Sequence, residues 1–191
     1  MQPPTFVFAA ERAPAAAAAA RGEAFPFAEI LCAEAPRLRR LVHRLFGWSP
    51  RTADVDDVVQ EALLAAWRHR ATFRGEAGVA TWLVQIVVRK ARSHARAANL
   101  RRRVFRWWRH NASEPAVQDG ESPLQERLDA THAAMAALRH ADREVLVLRY
   151  LEQRGVDQIA QVLECSRAAV DARLSRARKR LRAKLRLEVR P

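Results

Sequence analysis

Ten basic residues fall between Ser166 and Arg190, against only Asp171 and Glu188. Val170, Leu174, Ala177, Leu181 and Leu185 recur there at spacings of four, three, four and four, a helical stripe that packs inward. Arg167, Arg173, Arg176, Lys179 and Arg180 are left on the remaining surface. Guanidinium groups on such a helix can bind guanine bidentately and displace counterions from phosphates. A solvated basic face is the plain alternative. Two features favour DNA: the short periodic segment before it (Val156, Ile159, Ala160, Leu163) and the tight turn Glu164-Cys165-Ser166. Together these spell a helix-turn-helix, with Ser166 as the N-cap of its second helix.

A second constellation carries the opposite charge. Asp54, Asp57 and Glu61 are spaced by three and four, so they share one edge of a helix near its start, with Gln60 beside them. Compensation of the helix dipole explains one or two such acids. On a chain of formal charge +13 and pI about 11.4, an acidic, hydrogen-bonding edge also suits a docking site for another protein.

No catalytic set is evident. His43, His69, His94, His110, His132 and His140 form no HExxH and no ligand cluster, and no Walker loop, GxSxG or CxxC occurs. No metal or cofactor is expected. Cys32 and Cys165 are far apart, as in a reduced cytoplasmic protein without structural zinc. No stretch approaches the ~18 apolar residues of a membrane span.

The elements that must position these residues are helical. Ala, Leu, Arg and Glu dominate, and there are 6 Gly and one Tyr among 191 residues. Residues 1–24, with the alanine run Ala15 to Ala20, read as a low-complexity tail. A helix over about 25–46 carries Phe27, Ile30, Leu31, Leu38, Leu41, Val42, Leu45 and Phe46, with a kink or break expected at Pro36. A second, capped by Thr52 or Asp54, carries Val55, Val58, Val59, Leu63, Ala66 and Trp67 and runs to about His69. A loop with two glycines, Ala71 to Gly78, precedes a third with Trp82, Leu83, Ile86 and Val87. That helix runs into a stretch, Arg89 to Arg109, with nine Arg or Lys and no acid. Residues 104–123 form an interdomain linker, and four shorter helices follow at roughly 124–139, 141–152, 156–163 and 167–187. The fold class is all-α: two small helical domains on a flexible tether, the second a helix-turn-helix.

Several runs resemble bacterial RNA polymerase sigma factors of the extracytoplasmic-function (ECF) type. Asp54-Val-Asp-Asp-Val-Val-Gln-Glu-Ala-Leu-Leu-Ala-Ala-Trp67, then Phe73-Arg-Gly-Glu and Thr81-Trp-Leu83, resemble sigma region 2. Asp142-Arg-Glu-Val-Leu-Val-Leu-Arg-Tyr-Leu151, Gln158-Ile-Ala160 and Ser166 to Leu181 resemble region 4. The resemblance covers residues 25–103 and 124–187. It implies that Asp54, Asp57, Gln60 and Glu61 grip the clamp helices of the largest subunit of core RNA polymerase. It implies that the loop Phe73 to Gly78 captures an unstacked base of the −10 strand, which requires a pocket, a stacking surface and positive charge. Phe73, Arg74, Gln85 and Arg89 supply parts of that. Trp82 is either part of the trap or a core anchor under the loop, and Arg92, Arg96 and Arg101–Arg103 would hold phosphates. In region 4 the resemblance implies −35 duplex contacts by Arg149, Ser166, Arg167, Asp171, Arg173, Ser175, Arg176 and Lys179. The implied partners are core polymerase, promoter DNA and an anti-sigma factor.

The sequence departs from the family pattern at several positions. Val84 and Arg89 replace an aromatic and an Asn in region 2. Asp171 and Ala172 stand where Lys or Arg and Ser are common; Asp171 could accept from a cytosine amino group, and the expected option is a pair with Arg167 four residues earlier. Glu164 replaces a turn glycine, at some strain if left-handed, and Gly155 replaces a serine cap. Phe105, Trp107 and Trp108 are expected to dock the linker on a partner. The rival function is an ordinary two-domain helix-turn-helix regulator that acts without polymerase.

Overall fold

The computed structural model describes residues 26–47, 52–73, 78–106 and 123–188. Seven α-helices carry them: α1 (Phe27–Phe46), α2 (Thr52–His69), α3 (Val79–Arg106), α4 (Pro123–Ala136), α5 (His140–Leu146), α6 (Val156–Leu163) and α7 (Arg167–Glu188). A 3-10 turn, Arg70–Thr72, follows α2, and a π-helical turn, Val147–Leu151, continues α5. No strand occurs among the described residues.

Helix α1 differs from expectation. It is continuous through Pro36, whose missing N–H removes one backbone bond at a cost of about 3 kcal/mol. The ring sits on the exposed side, while Phe27, Leu31, Leu38, Leu41, Val42 and Leu45 bury the opposite face on both sides of it. Burial of that stripe at roughly 2 kcal/mol per large side chain outweighs the break. The helix ends at Gly47, whose φ of +94° suits glycine and whose N–H reaches the carbonyls of His43 and Arg44.

Helices α1, α2 and α3 pack on one another, closed by Val55, Val58, Val59, Leu83, Val84, Val87 and Val88. Helices α4 to α7 form the second module around Val145, Leu148, Ile159, Val162, Val170, Leu174 and Ala177. Within the helix-turn-helix, the Ser166 hydroxyl accepts from the Ala169 N–H at 3.2 Å, and the Gly155 N–H donates to Gln158 Oε1 at 3.0 Å. Both expected caps are in place. Val170, Leu174 and Ala177 are buried as the stripe requires, and Leu181 is half-buried.

The two modules lie against each other, and the apolar core is continuous between them. Arg143, on α5, joins them at the centre. Its buried guanidinium donates to the Leu45 carbonyl of α1 at 2.8 Å and to the Ala136 carbonyl of α4 at 2.9 Å. It thereby satisfies two helix C-termini at once, which otherwise leave carbonyls bare. Gly47 makes room for this contact: a Cβ there would lie 3.1 Å from Ala136 Cα and 3.2 Å from the Arg143 guanidinium.

Candidate polymerase- and DNA-binding surfaces

The acidic edge of α2 is split by its neighbours. Asp54 lies 3.8 Å from His94, and Glu61 pairs with Lys90 at 3.2 Å, so both lean toward α3. Asp57 and Gln60 are exposed. On the other flank, between α1 and α2, is a cleft of about 660 Å³ that residue patterning alone did not suggest. Pro36, Val59, Leu63 and Leu64 give it an apolar floor, and Arg39, Asp56 and Gln60 rim it. Arg39 and Asp56 form an ion pair at 2.6 Å across it. Leu64 is 47% exposed and Trp67 43%, an apolar strip on an otherwise polar helix. Leu64, at a helix position without a core partner, was the signal available in the sequence.

Phe73 and Trp82 do not stand free. Phe27 meets both edge-on, with centroids 5.9 and 5.8 Å away, and the two lie 5.4 Å from each other. Such aromatic contacts are stabilising, and Trp82 and Phe73 are each half-buried against the core. Arg74 lies outside the described residues, as do Trp107 and Trp108; the side chains of Arg101–Arg103 and Phe105 do too.

Gln85, Arg89 and Arg92 lie along one face of α3. Each is bonded to a carboxylate of the second module. Gln85 donates to Glu164 at 3.0 Å and Arg89 donates to the same oxygen. Arg92 binds Glu144 in a bidentate fork of 2.8 and 2.7 Å. Arg37 and Arg44 of α1 share Glu152, each at 3.3 Å. In the reverse direction Arg154 donates to the Thr81 hydroxyl at 2.8 Å. Glu144, Glu152, Glu164, Arg143 and Arg154 were not foreseen as interface residues. Charge type alone cannot reveal a partner more than fifty positions away.

Beside these bonds lies a second cleft, of about 700 Å³, whose cationic lining comes from both modules: Arg92 and Arg96 from α3, Arg173, Arg176 and Arg180 from α7. Glu144 and Asp142 supply its negative charge, the latter bonded to Arg180. Burial raises the Glu144 carboxyl above the usual carboxylate range, opposed by the Arg92 fork. The bond from Arg89 lowers Glu164. His140 is pushed down to about 4, by burial first and then by Arg143 and Arg92.

Arg167, Asp171, Ser175, Arg176 and Lys179 are exposed along α7, and Arg173 is half-buried. The expected Arg167–Asp171 pair does not form. Arg167 Nη1 instead spans the helix-turn-helix to both oxygens of Asp157, at 3.1 Å, because the turn brings that carboxylate within reach. Arg149 donates to the Arg154 carbonyl at 2.9 Å while remaining exposed.

Known proteins share this sequence and fold. The Sigma-70 region 2 family matches residues 33–101, and the Sigma-70 region 4 family matches residues 128–181. The chain is similar to the RNA polymerase sigma-H factor of Pseudomonas aeruginosa, 31% identical over 149 residues that span 71% of this chain and 77% of that one. It is similar to the RNA polymerase sigma factor CnrH of Cupriavidus metallidurans, 33% identical over 180 residues, 89% and 92% of the two chains. Among solved structures, CnrH in complex with the cytosolic domain of CnrY superposes with a TM-score of 0.61 at 28% identity, covering 90% of this chain and 95% of that one. The sigma factor RpoE bound to the anti-sigma factor NepR from Bartonella quintana gives 0.63 at 24%, covering 84% and 96%. On the two region matches and these relatives, the chain belongs to the ECF sigma factors of RNA polymerase.

Proposed function

We propose that this sigma factor docks on core RNA polymerase through the outer face of α1 and α2, and that its two modules then read the promoter. Asp57, Gln60 and Glu61 contribute the acidic part of the docking face, and the cleft floored by Val59, Leu63 and Leu64 takes apolar side chains of the polymerase clamp helices. The face of α3 bearing Gln85, Arg89, Arg92 and Arg96 holds the melted −10 strand. Helix α7 enters the −35 major groove with Arg173, Arg176 and Lys179. The protein acts as an initiation subunit in the cytoplasm and brings no catalytic chemistry of its own. An anti-sigma factor is its expected antagonist.

One observation carries this reading. A single chain joins an open apolar groove, beside the exposed Asp57 and Gln60, to a helix-turn-helix with an exposed cationic helix. An operator-binding regulator needs the second feature and would use the first only to sense or dimerise. The test is pull-down of bacterial core polymerase by the purified chain and by an Asp57→Lys/Glu61→Lys variant. Wild-type capture that survives moderate salt, with roughly hundredfold weaker capture by the variant, is expected for two reversed charges in a protein interface. Equal capture of both would remove the α2 face from the interface. Absence of capture, with tight binding of specific free duplex, would establish the ordinary regulator.

A further inference from the structure

The second cleft gathers more positive charge than the chain around it neutralises. Five arginines line it, two from α3 and three from α7, against the carboxylates of Asp142 and Glu144. Both carboxylates are occupied within the chain: Glu144 holds Arg92 in its fork, and Asp142 is bonded to Arg180. Arg96, Arg173 and Arg176 make no ion pair among the described residues, which leaves three uncompensated positive charges. His140 also lines the cleft and adds no charge at neutral pH. The arginines share one field, since Arg92, Arg173 and Arg96 all lie within electrostatic reach of Glu144. Arg96 and Arg176 are exposed and Arg173 is half-buried, so a solute can reach them. Like charges gathered in this way repel one another, and an anion placed among them relieves that repulsion.

We infer that this cleft is a binding site for a small polyphosphate, either inorganic or carried by a nucleoside. Guanidinium forks match phosphate oxygens bidentately. Three uncompensated charges on separate side chains suit a row of phosphates better than a single monoanion. The volume, about 700 Å³, falls within the ~300–1,000 Å³ usual for small-ligand sites. Arg92 and Arg180 are already held by Glu144 and Asp142, so less side-chain freedom is lost when a ligand binds them. Walls from α3, α5 and α7 fit a short flexible chain and leave no room for a duplex. The ligand bridges α3 and α7, whose arginines share a cleft only in the folded chain. This site is additional to the promoter roles proposed above, although Arg92, Arg96, Arg173 and Arg176 appear in both.

The test is equilibrium dialysis of the full chain against sodium tripolyphosphate, GTP or orthophosphate, at about 0.15 M salt so that diffuse attraction is screened. Arg96→Gln/Arg176→Gln removes two cleft cations at exposed positions, and Arg178→Gln/Arg182→Gln removes two exposed cations of α7 that do not line the cleft. The wild-type chain should retain one tripolyphosphate, with about tenfold weaker binding in the cleft variant, as loss of charge-assisted bonds requires. The control variant should bind within about threefold of wild type, as expected for screened charges at a distance. Orthophosphate should bind far more weakly than tripolyphosphate. GTP retained as tightly as tripolyphosphate, or more so, assigns a nucleotide; markedly weaker GTP assigns the inorganic chain. Several tripolyphosphates per chain with equal losses in both variants would mean a diffuse cationic surface and overturn the inference. So would no retention at about 1 mM, the weak end of specific binding. A single-stranded 12-mer retained by wild type and lost by the cleft variant, without retention of tripolyphosphate, would give the cleft to nucleic acid and also overturn it. Should the cleft variant fail to fold, Arg176→Gln alone must weaken binding, and an unaltered affinity overturns the inference. The dialysis uses neither polymerase nor promoter, so its failure and that of the pull-down are recognised separately.

Discussion

The N-terminal module turns two working faces outward, and they meet different fates. The α1–α2 face is open: its groove is unfilled by other parts of the described chain, and Asp57, Gln60 and Leu64 are exposed. The α3 face is covered, its amide and guanidinium groups bonded to Glu144 and Glu164. On the proposed assignments, the docking face is reachable while the modules are together, whereas Gln85, Arg89 and Arg92 are bonded within the chain. Docking on the open face alone does not part the modules, because a ligand shifts an equilibrium only by its differential affinity for the two states.

The covered face breaks most readily at Glu144. Glu144→Ala leaves the Arg92 guanidinium without its fork in a largely desolvated site, and should cost roughly 3 kcal/mol in urea unfolding. The lower end of the range for a broken buried pair applies, because Arg92 keeps some access to water. An unaltered unfolding midpoint would mean that the fork is energetically idle. The open face is sharpened by Leu64→Glu. A charge in its apolar floor should weaken core-polymerase binding by about thirtyfold, roughly 2 kcal/mol, with no change in melting temperature. A lowered melting temperature would instead identify Leu64 as a packing residue.

The smallest effect concerns His140, at the covered junction. Its folded value, about 4, lies below the ordinary 6.5, so the closed arrangement favours the neutral ring. Its contribution is complete above pH 6.5 and is lost as the pH falls toward about 4, with about 1 kcal/mol lost between pH 6.5 and 5.5. Glu144, raised by burial, acts in the opposite direction at lower pH. The difference between wild type and His140→Asn, both followed by urea unfolding across this range, isolates the histidine. Parallel stability curves for the two would contradict the assignment.

Much of the fold was legible because local rules decide it. The stripe on α7, the Ser166 and Gly155 caps and the valines of α2 follow from spacing and side-chain chemistry, and the structure honours them. Two expectations failed where tertiary context overrode a local rule. Of the kink or break expected at Pro36, the break does not occur, because the buried stripe continues across it. Arg167 passes over Asp171 for Asp157, which the turn of the helix-turn-helix brings near. Trp82 had two readings, and its ring packs against Phe27 and Phe73 while staying half-buried.

The sequence by itself determined which residues can do chemistry: the acids of α2, the cations of α3 and α7, and the order of modules that marks a sigma factor. These depend on spacing along a helix, which one strand of sequence contains. Only the tertiary structure decided which of them are free. That Gln85, Arg89 and Arg92 face Glu144 and Glu164 depends on two modules docking across a linker. Contacts between residues 52 to 79 positions apart leave no periodic trace for a reader of the chain.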